Sequence, residues 1–280
     1  MKTFVELTKP RLTLMALATA FAGFFMGHEG PLEWAPVLKA MGGVLLIGAS
    51  VNALNQVAER DLDKFMKRTQ PRPLPSGRLS PENALVFGVV LLAAGLAWLF
   101  LLTNRLTALL GLSTAVSYLL VYTPLKRVTP WNTVFGALPG ALPVLMGYAA
   151  SAGRIDARSL SYFIFLFVWQ LPHFFAIAWI YREDYARAGF NMITKGDADG
   201  SRTFFWMFVT TFAAVAASFL PFIFGAAGLT YLFIAIFSGT MWIGLGSYIF
   251  CRHFAEARKF VVASIAYLFF INIMLIVDRI

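Results

Sequence analysis

N-A-L-N-Q-V-A-E-R-D-L-D-K-F-M-K-R-T-Q-P-R-P-L-P-S-G-R, Asn52 to Arg78, decides how the rest of the chain is read. It follows directly on the apolar run Val37 to Val51, so amides, carboxylates and a dense set of cations stand where a hydrophobic helix ends. Positions 52, 55, 59 and 63 are three, four and four residues apart, a spacing that puts Asn52, Asn55, Glu59 and Asp63 on one helical face. Two carboxylates one turn apart repel unless a cation sits between them. Oxygen-only donors suit Mg²⁺, which takes one or two carboxylates together with phosphate oxygens. Arg60, Lys64, Lys67, Arg68, Arg72 and Arg78 follow at once, and guanidinium groups match phosphate oxygens in pairs. Carboxylates, Mg²⁺ and arginines at a membrane face suggest a diphosphate held against a bilayer. The cations alone have a plainer reading as positive-inside residues of a loop. The Asn/Glu/Asp ladder is harder to dismiss, because polar groups at the end of a span are costly.

The surrounding chain supports the membrane setting. Of 280 residues, 59% are hydrophobic and 13% charged, with a mean hydropathy of +0.72; soluble chains carry about 25% charged residues. This predicts an all-α polytopic membrane protein, one domain over 1–280, with spans near 12–27, 36–56, 83–103, 105–123, 131–151, 159–180, 203–223, 227–250 and 260–278. Neither a transit peptide nor a separate signal sequence is read at the start, so the first span is expected to act as its own insertion signal. A single cysteine, Cys251, excludes an internal disulfide and a cysteine metal cluster.

The net charge of +9 is explained by topology and calls for no nucleic acid. With the N-terminus inside, Lys2, Lys9, Arg11, the six cations of 60–78, Lys126, Arg127, Arg182, Arg187, Lys195, Arg202, Arg252, Arg258 and Lys259 fall on the inner side. Only Lys39, Arg105, Arg154, Arg158 and Arg279 fall outside, 5 of the 23. That asymmetry predicts N-inside and C-outside. The polar segments 57–82, 124–130 and 181–202 then share the cytoplasmic face, and chemistry is expected there.

In Y-R-E-D-Y-A-R-A-G, Tyr181 to Gly189, Tyr181, Asp184, Tyr185 and Ala188 share a face with Glu183 and Arg187 beside it. Asp184 is either a second acidic contribution to the metal site or part of a salt-bridged helix end. Asp197 and Asp199 read as an acidic turn. Lys126 and Arg127 either add charge to a diphosphate pocket or anchor a loop. His28 and His253 read as loop residues. His173, inside the sixth span after Pro172, reads as a haem-facing ligand, a proton-transfer group or a structural histidine. A few of the many aromatic rings could shield a carbocation, although packing is their ordinary use.

Taken together, Asn55 to Arg78, Tyr122 to Pro143 (Y-T-P-L-K-R-V-T-P-W-N-T-V-F-G-A-L-P-G-A-L-P) and Trp169 to Met192 (W-Q-L-P-H-F-F-A-I-A-W-I-Y-R-E-D-Y-A-R-A-G-F-N-M) resemble the protohaem IX farnesyltransferase (haem O synthase) family. That family is part of the UbiA-type intramembrane prenyltransferase superfamily. The opening E-L-T-K-P-R-L-T-L-M, Glu6 to Met15, is similar as well, and the resemblance runs essentially end to end. It implies a nine-helix bundle around a central cavity, in the bacterial cytoplasmic membrane and among its lipids. It also implies transfer of a farnesyl group from farnesyl diphosphate to a vinyl group of haem B, with addition of water, giving haem O and pyrophosphate. A haem-delivery or terminal-oxidase assembly partner follows only from this likeness. Carried over by position, the metal motif falls on Asn55, Glu59 and Asp63, with Glu59 where aspartate is common. Asp184 matches the first aspartate of the second motif, and Ala188 stands where the second would be. The diphosphate would be neutralised by Lys67, Arg68, Arg72, Lys126, Arg127 and Arg187, and His173 would contact haem iron or a propionate. An aromatic-acid prenyltransferase of the same fold and a membrane transporter are the alternatives.

Overall fold

The computed structural model describes residues 2–251 and 256–280; Arg252 and His253 lie outside them. Among the described residues, nine helices are long and apolar enough to cross a membrane. They are Pro10–Gly27, Trp34–Asp63, Pro81–Leu102, Arg105–Val128, Asn132–Ala152, Ala157–Ile180, Ser201–Ile223, Leu229–Ile249 and Ala257–Val277, here the first to ninth spans. A short helix, Lys2–Leu7, precedes the first span. No strand occurs among the described residues; one isolated bridge joins Ala227 and Arg279.

Two spans run further than hydropathy predicts. The second continues to Asp63 and the fourth to Val128, past the expected ends at 56 and 123. The polar residues of the second span are not surrendered to lipid, because neighbouring segments satisfy them. Asn52 Nδ2 donates to Thr13 Oγ1 at 3.1 Å, and Gln56 Nε2 donates to the Leu7 carbonyl at 2.8 Å. A helix whose side chains are partnered in this way need not stop where its hydropathy falls.

Sequential spans pack on one another, and the bundle closes on itself because the ninth span also packs on the first and sixth. The fifth is the central element: 67% of its most apolar window is buried, against 17% for the lipid-facing third. Its contact with the first span is made by glycines. A Cβ on Gly147 would overlap the Ala20 carbonyl oxygen, and one on Gly23 would overlap that of Val144. Backbones come this close in membrane bundles only where side chains are minimal. The sixth span contains Pro172 and still runs unbroken from Ala157 to Ile180.

Polar contacts gather at the two ends of this bundle. One end carries Glu29, Arg154, Asp156, Arg158, Asp278 and Arg279, where Tyr148 donates to Asp156 and Arg279 donates to the Phe25 carbonyl. The other end carries the ladder.

Candidate active site

The end of the second span buries its functional face and exposes the other. Asn55, Glu59 and Asp63 are 1%, 5% and 0% exposed, whereas Arg60, Asp61 and Lys64 face outward and pair among themselves. Each buried polar group has a partner from a different segment. Arg72 Nη1 donates to both carboxylate oxygens of Asp63, at 3.0 and 2.8 Å. The chain reverses to allow this through a turn in which Thr69 Oγ1 donates to the Asp63 carbonyl at 2.7 Å. Lys126 Nζ lies 2.6 Å from Glu59 Oε1. Asn55 Nδ2 donates to Thr123 Oγ1 at 3.3 Å.

Lys126 and Thr123 reach the ladder from a wound-open stretch of the fourth span. Residues Ser117–Tyr122 form a π-helical turn, an uncommon feature that concentrates at functional sites. The Tyr118 carbonyl there accepts both the backbone N–H of Thr123 and, at 2.8 Å, Thr123 Oγ1. The Lys126 ammonium sits 4.6 Å from the Tyr122 ring centroid and 5.8 Å from that of Phe190, both within cation–π range. Asn191 N donates to the Lys126 carbonyl at 2.7 Å, and Asn132 Nδ2 donates to the Asn191 carbonyl at 2.9 Å. The segment after the sixth span is thereby tied to the fourth and fifth.

Asp184 is placed differently. Its oxygens accept from the backbone N–H groups of Lys67 and Arg68, each at 3.3 Å, and from Arg187. Arg187 Nε also donates to the Phe65 carbonyl at 3.3 Å. Asp184 and Arg187 therefore grip the loop that carries the cations, and Arg68 lies over the Tyr181 ring at 4.8 Å. Lys67 and Arg127 are exposed and form no ion pair among the described residues. Ala188 is buried with Met66, Ala178, Phe190 and Met192, so the position lacking the second carboxylate has become apolar packing. Asp197 caps the start of the seventh span: its Oδ2 accepts from Thr203 N at 2.8 Å and Thr203 Oγ1 at 2.5 Å. That agrees with the turn reading.

His173 lies elsewhere in the sixth span. It is 7% exposed, stacks on Trp169 with centroids 5.0 Å apart, and its Nδ1 is 2.7 Å from Ser264 Oγ of the ninth span. Trp169 Nε1 donates to the Ser264 carbonyl at 3.0 Å.

Lys9 belongs to the ladder although its sequence position suggested only a positive-inside residue. It follows the short first helix, and its Nζ donates to Asn55 Oδ1 at 3.2 Å. Burial, with Arg72 and Lys126 adding to it, pushes its ammonium down to about 7 against the partial support of Glu59 and Asp63. Tyr122, Thr123, Phe190 and Asn191 were likewise not singled out by sequence. Only the T-K-P-R motif pointed towards Lys9.

The ladder's donors are all oxygen: one amide and two carboxylates, each bonded to an ammonium or guanidinium of the chain. That donor set fits Mg²⁺, with the chain's own cations standing where a metal or its counter-charge would go. No group of three His, Cys, Asp or Glu side chains gathers as a metal site among the described residues. The amide of Asn55 and phosphate oxygens would thus have to complete the coordination.

These features define a polytopic helical membrane protein with an oxygen-donor and cation cluster built at one end. The chain belongs to the UbiA prenyltransferase family, whose match spans residues 16–274. It is 40% identical to the "Protoheme IX farnesyltransferase" of Solibacter usitatus, an alignment covering 100% of this chain and 99% of that protein. The fold is similar to that solved in a study of digeranylgeranylglyceryl phosphate synthase (TM-score 0.80, 18% identity, covering 99% of this chain and 97% of that one). It is also similar to that of a UbiA homolog from Archaeoglobus fulgidus bound to DMAPP and Mg²⁺ (TM-score 0.69, 16% identity, covering 98% and 99%).

Proposed function

We propose that this protein transfers the farnesyl group of farnesyl diphosphate to a vinyl group of haem B, with addition of water, giving haem O and pyrophosphate. The observation that carries the chemistry is the buried set of Asn55, Glu59 and Asp63 faced by Lys9, Arg72 and Lys126. The full-length similarity to proteins named for this reaction supports the acceptor.

Asn55, Glu59 and Asp63 would hold Mg²⁺, and Asp184 would join them only by giving up its hold on the Lys67 and Arg68 backbone. The ion when bound would neutralise diphosphate charge and make it a better leaving group, a reading that the Mg²⁺ of the A. fulgidus homolog supports. Arg72 and Lys126 exchange a carboxylate for phosphate oxygens when the substrate enters. Lys67, Arg68, Arg127 and Arg187 line the approach, with Lys67 and Arg68 on a loop held by Asp184. As the farnesyl carbon–oxygen bond breaks, its electron pair goes to the diphosphate, and these cations stabilise the charge that develops. The vinyl π electrons form the new carbon–carbon bond. Water captures the resulting cation and loses a proton, so the attack itself needs no strong base. His173, oriented by Ser264 through Nδ1, keeps Nε2 for haem iron or a propionate. The ladder faces the cytoplasm of a bacterial inner membrane, as the lysine and arginine asymmetry argues.

The test is a membrane assay with haem B, farnesyl diphosphate and Mg²⁺, read by mass spectrometry. The expected product is a hydroxyethylfarnesyl haem that disappears with EDTA. Pyrophosphate release with an aromatic acid in place of haem would overturn the acceptor and keep the site.

A further inference from the structure

Three cations enter the ladder and only two carboxylates meet them. Lys126 is taken by Glu59 and Arg72 by Asp63. Lys9 forms no ion pair among the described residues; the hydrogen bond of its ammonium goes to the neutral amide oxygen of Asn55. A half-buried ammonium whose hydrogen bond goes to a neutral amide, with Arg72 and Lys126 repelling it and Glu59 and Asp63 only partly offsetting them, is costly and persists only where the surrounding structure imposes it.

The structure does impose it. Lys9 is the only non-glycine residue with positive φ among the described residues, at 46°, a conformation seldom adopted by a side chain of this size. The turn is moored on all sides. Lys9 N donates to the Glu6 carbonyl at 3.2 Å, and the Lys9 carbonyl accepts from Leu12 N and Thr13 N at 2.9 and 3.1 Å. The second span clamps the two residues before it, with Gln56 on the Leu7 carbonyl and Asn52 on the Thr8 carbonyl. Thr13 Oγ1 donates to the Thr8 carbonyl as well, at 2.7 Å. Strained backbone, braced by two spans, delivers one surplus positive charge to the ladder.

We infer that Lys9 is a diphosphate-binding residue: its ammonium, held ready by Asn55, takes a phosphate oxygen of the prenyl diphosphate or of the pyrophosphate product. This rests on the reading of the ladder as a diphosphate site. Asn55 then has two duties, one towards the metal and one towards the cation that meets the same substrate.

The test is calorimetric binding of pyrophosphate and of a non-cleavable farnesyl thiolodiphosphate to the purified full-length protein with Mg²⁺. It compares wild type, Lys9→Arg, Lys9→Gln and Lys9→Met, with thermal midpoints measured without ligand. Lys9→Gln and Lys9→Met are expected to weaken both ligands about tenfold or more, the loss typical of one charge-assisted contact. Lys9→Arg stays close to wild type. Lys9→Met is expected to raise the ligand-free midpoint, because it removes a charge that Glu59 and Asp63 only partly compensate. Pyrophosphate binding by Lys9→Gln at wild-type strength would overturn the proposal, since glutamine keeps a donor for Asn55 and carries no charge. Loss of folded protein in both Lys9→Gln and Lys9→Met would make Lys9 a brace and overturn it too. Weakening of the farnesyl ligand alone would place Lys9 against the prenyl chain and reject the phosphate contact. Failure of wild type to bind either ligand would remove the diphosphate reading itself.

Discussion

Asp63 is the most enclosed charge of the ladder: its carboxylate is fully buried and both oxygens are occupied by Arg72. Burial of this kind is tolerated because the pair is complete, and removing one partner leaves the other uncompensated. Asp63→Ala is expected to reduce haem-product formation by about 10²–10³-fold, the scale of losing one electrostatic group aimed at a transition state. The protein should still insert, because the spans do not depend on this residue. The measurement is product per unit of membrane-integrated protein, and near-normal turnover would remove Asp63 from the site. At the opposite end, the exposed Arg154–Glu29 pair at 3.7 Å is of the kind that contributes little, so Glu29→Gln should leave both activity and thermal midpoint unchanged.

Among the helices, the first and fifth spans set the spacing of the bundle. Their contact is backbone against backbone at Gly23 and Gly147, and a methyl group there has nowhere to go. Gly147→Ala is expected to destabilise the protein by about 1–3 kcal/mol, the usual penalty for overpacking, and to lower its thermal midpoint in detergent. Gly244→Ala is the control, since a Cβ at Gly244 meets nothing within 4 Å. An equal effect of the two substitutions would show that the close approach is not what matters. The π-helical turn Ser117–Tyr122 has a comparable role in the fourth span: Thr123 bonds to the Tyr118 carbonyl through both its backbone N–H and its hydroxyl, and that fixed hydroxyl receives Asn55.

For the molecule as a whole, the ion pairs sort cleanly between two ends, and the charge asymmetry argues that the ladder end is cytoplasmic. In a Cys251→Ser background, Glu33→Cys and Lys195→Cys provide exposed probes of opposite ends. A membrane-impermeant maleimide applied to intact cells with a permeabilised outer envelope should label position 33 and spare 195 until the inner membrane is broken. The reverse pattern would invert the topology and put the site on the other side.

Hydropathy and helical spacing determined much of this protein by themselves. Nine spans and the shared face of Asn55, Glu59 and Asp63 follow from periodicity, which is local and is set by helix geometry. The ends of the second and fourth spans did not follow, because a polar helix turn persists only where other segments supply partners. The cations were equally ambiguous. Lys67, Arg68 and Arg72 look alike in sequence, yet only Arg72 folds back on Asp63, while Lys67 and Arg68 give their backbone N–H groups to Asp184. The partners Lys126 and Lys9 stand 67 and 46 residues away from Glu59 and Asn55. Local periodicity says which way a side chain points; only the packing of distant helices decides which charge it meets.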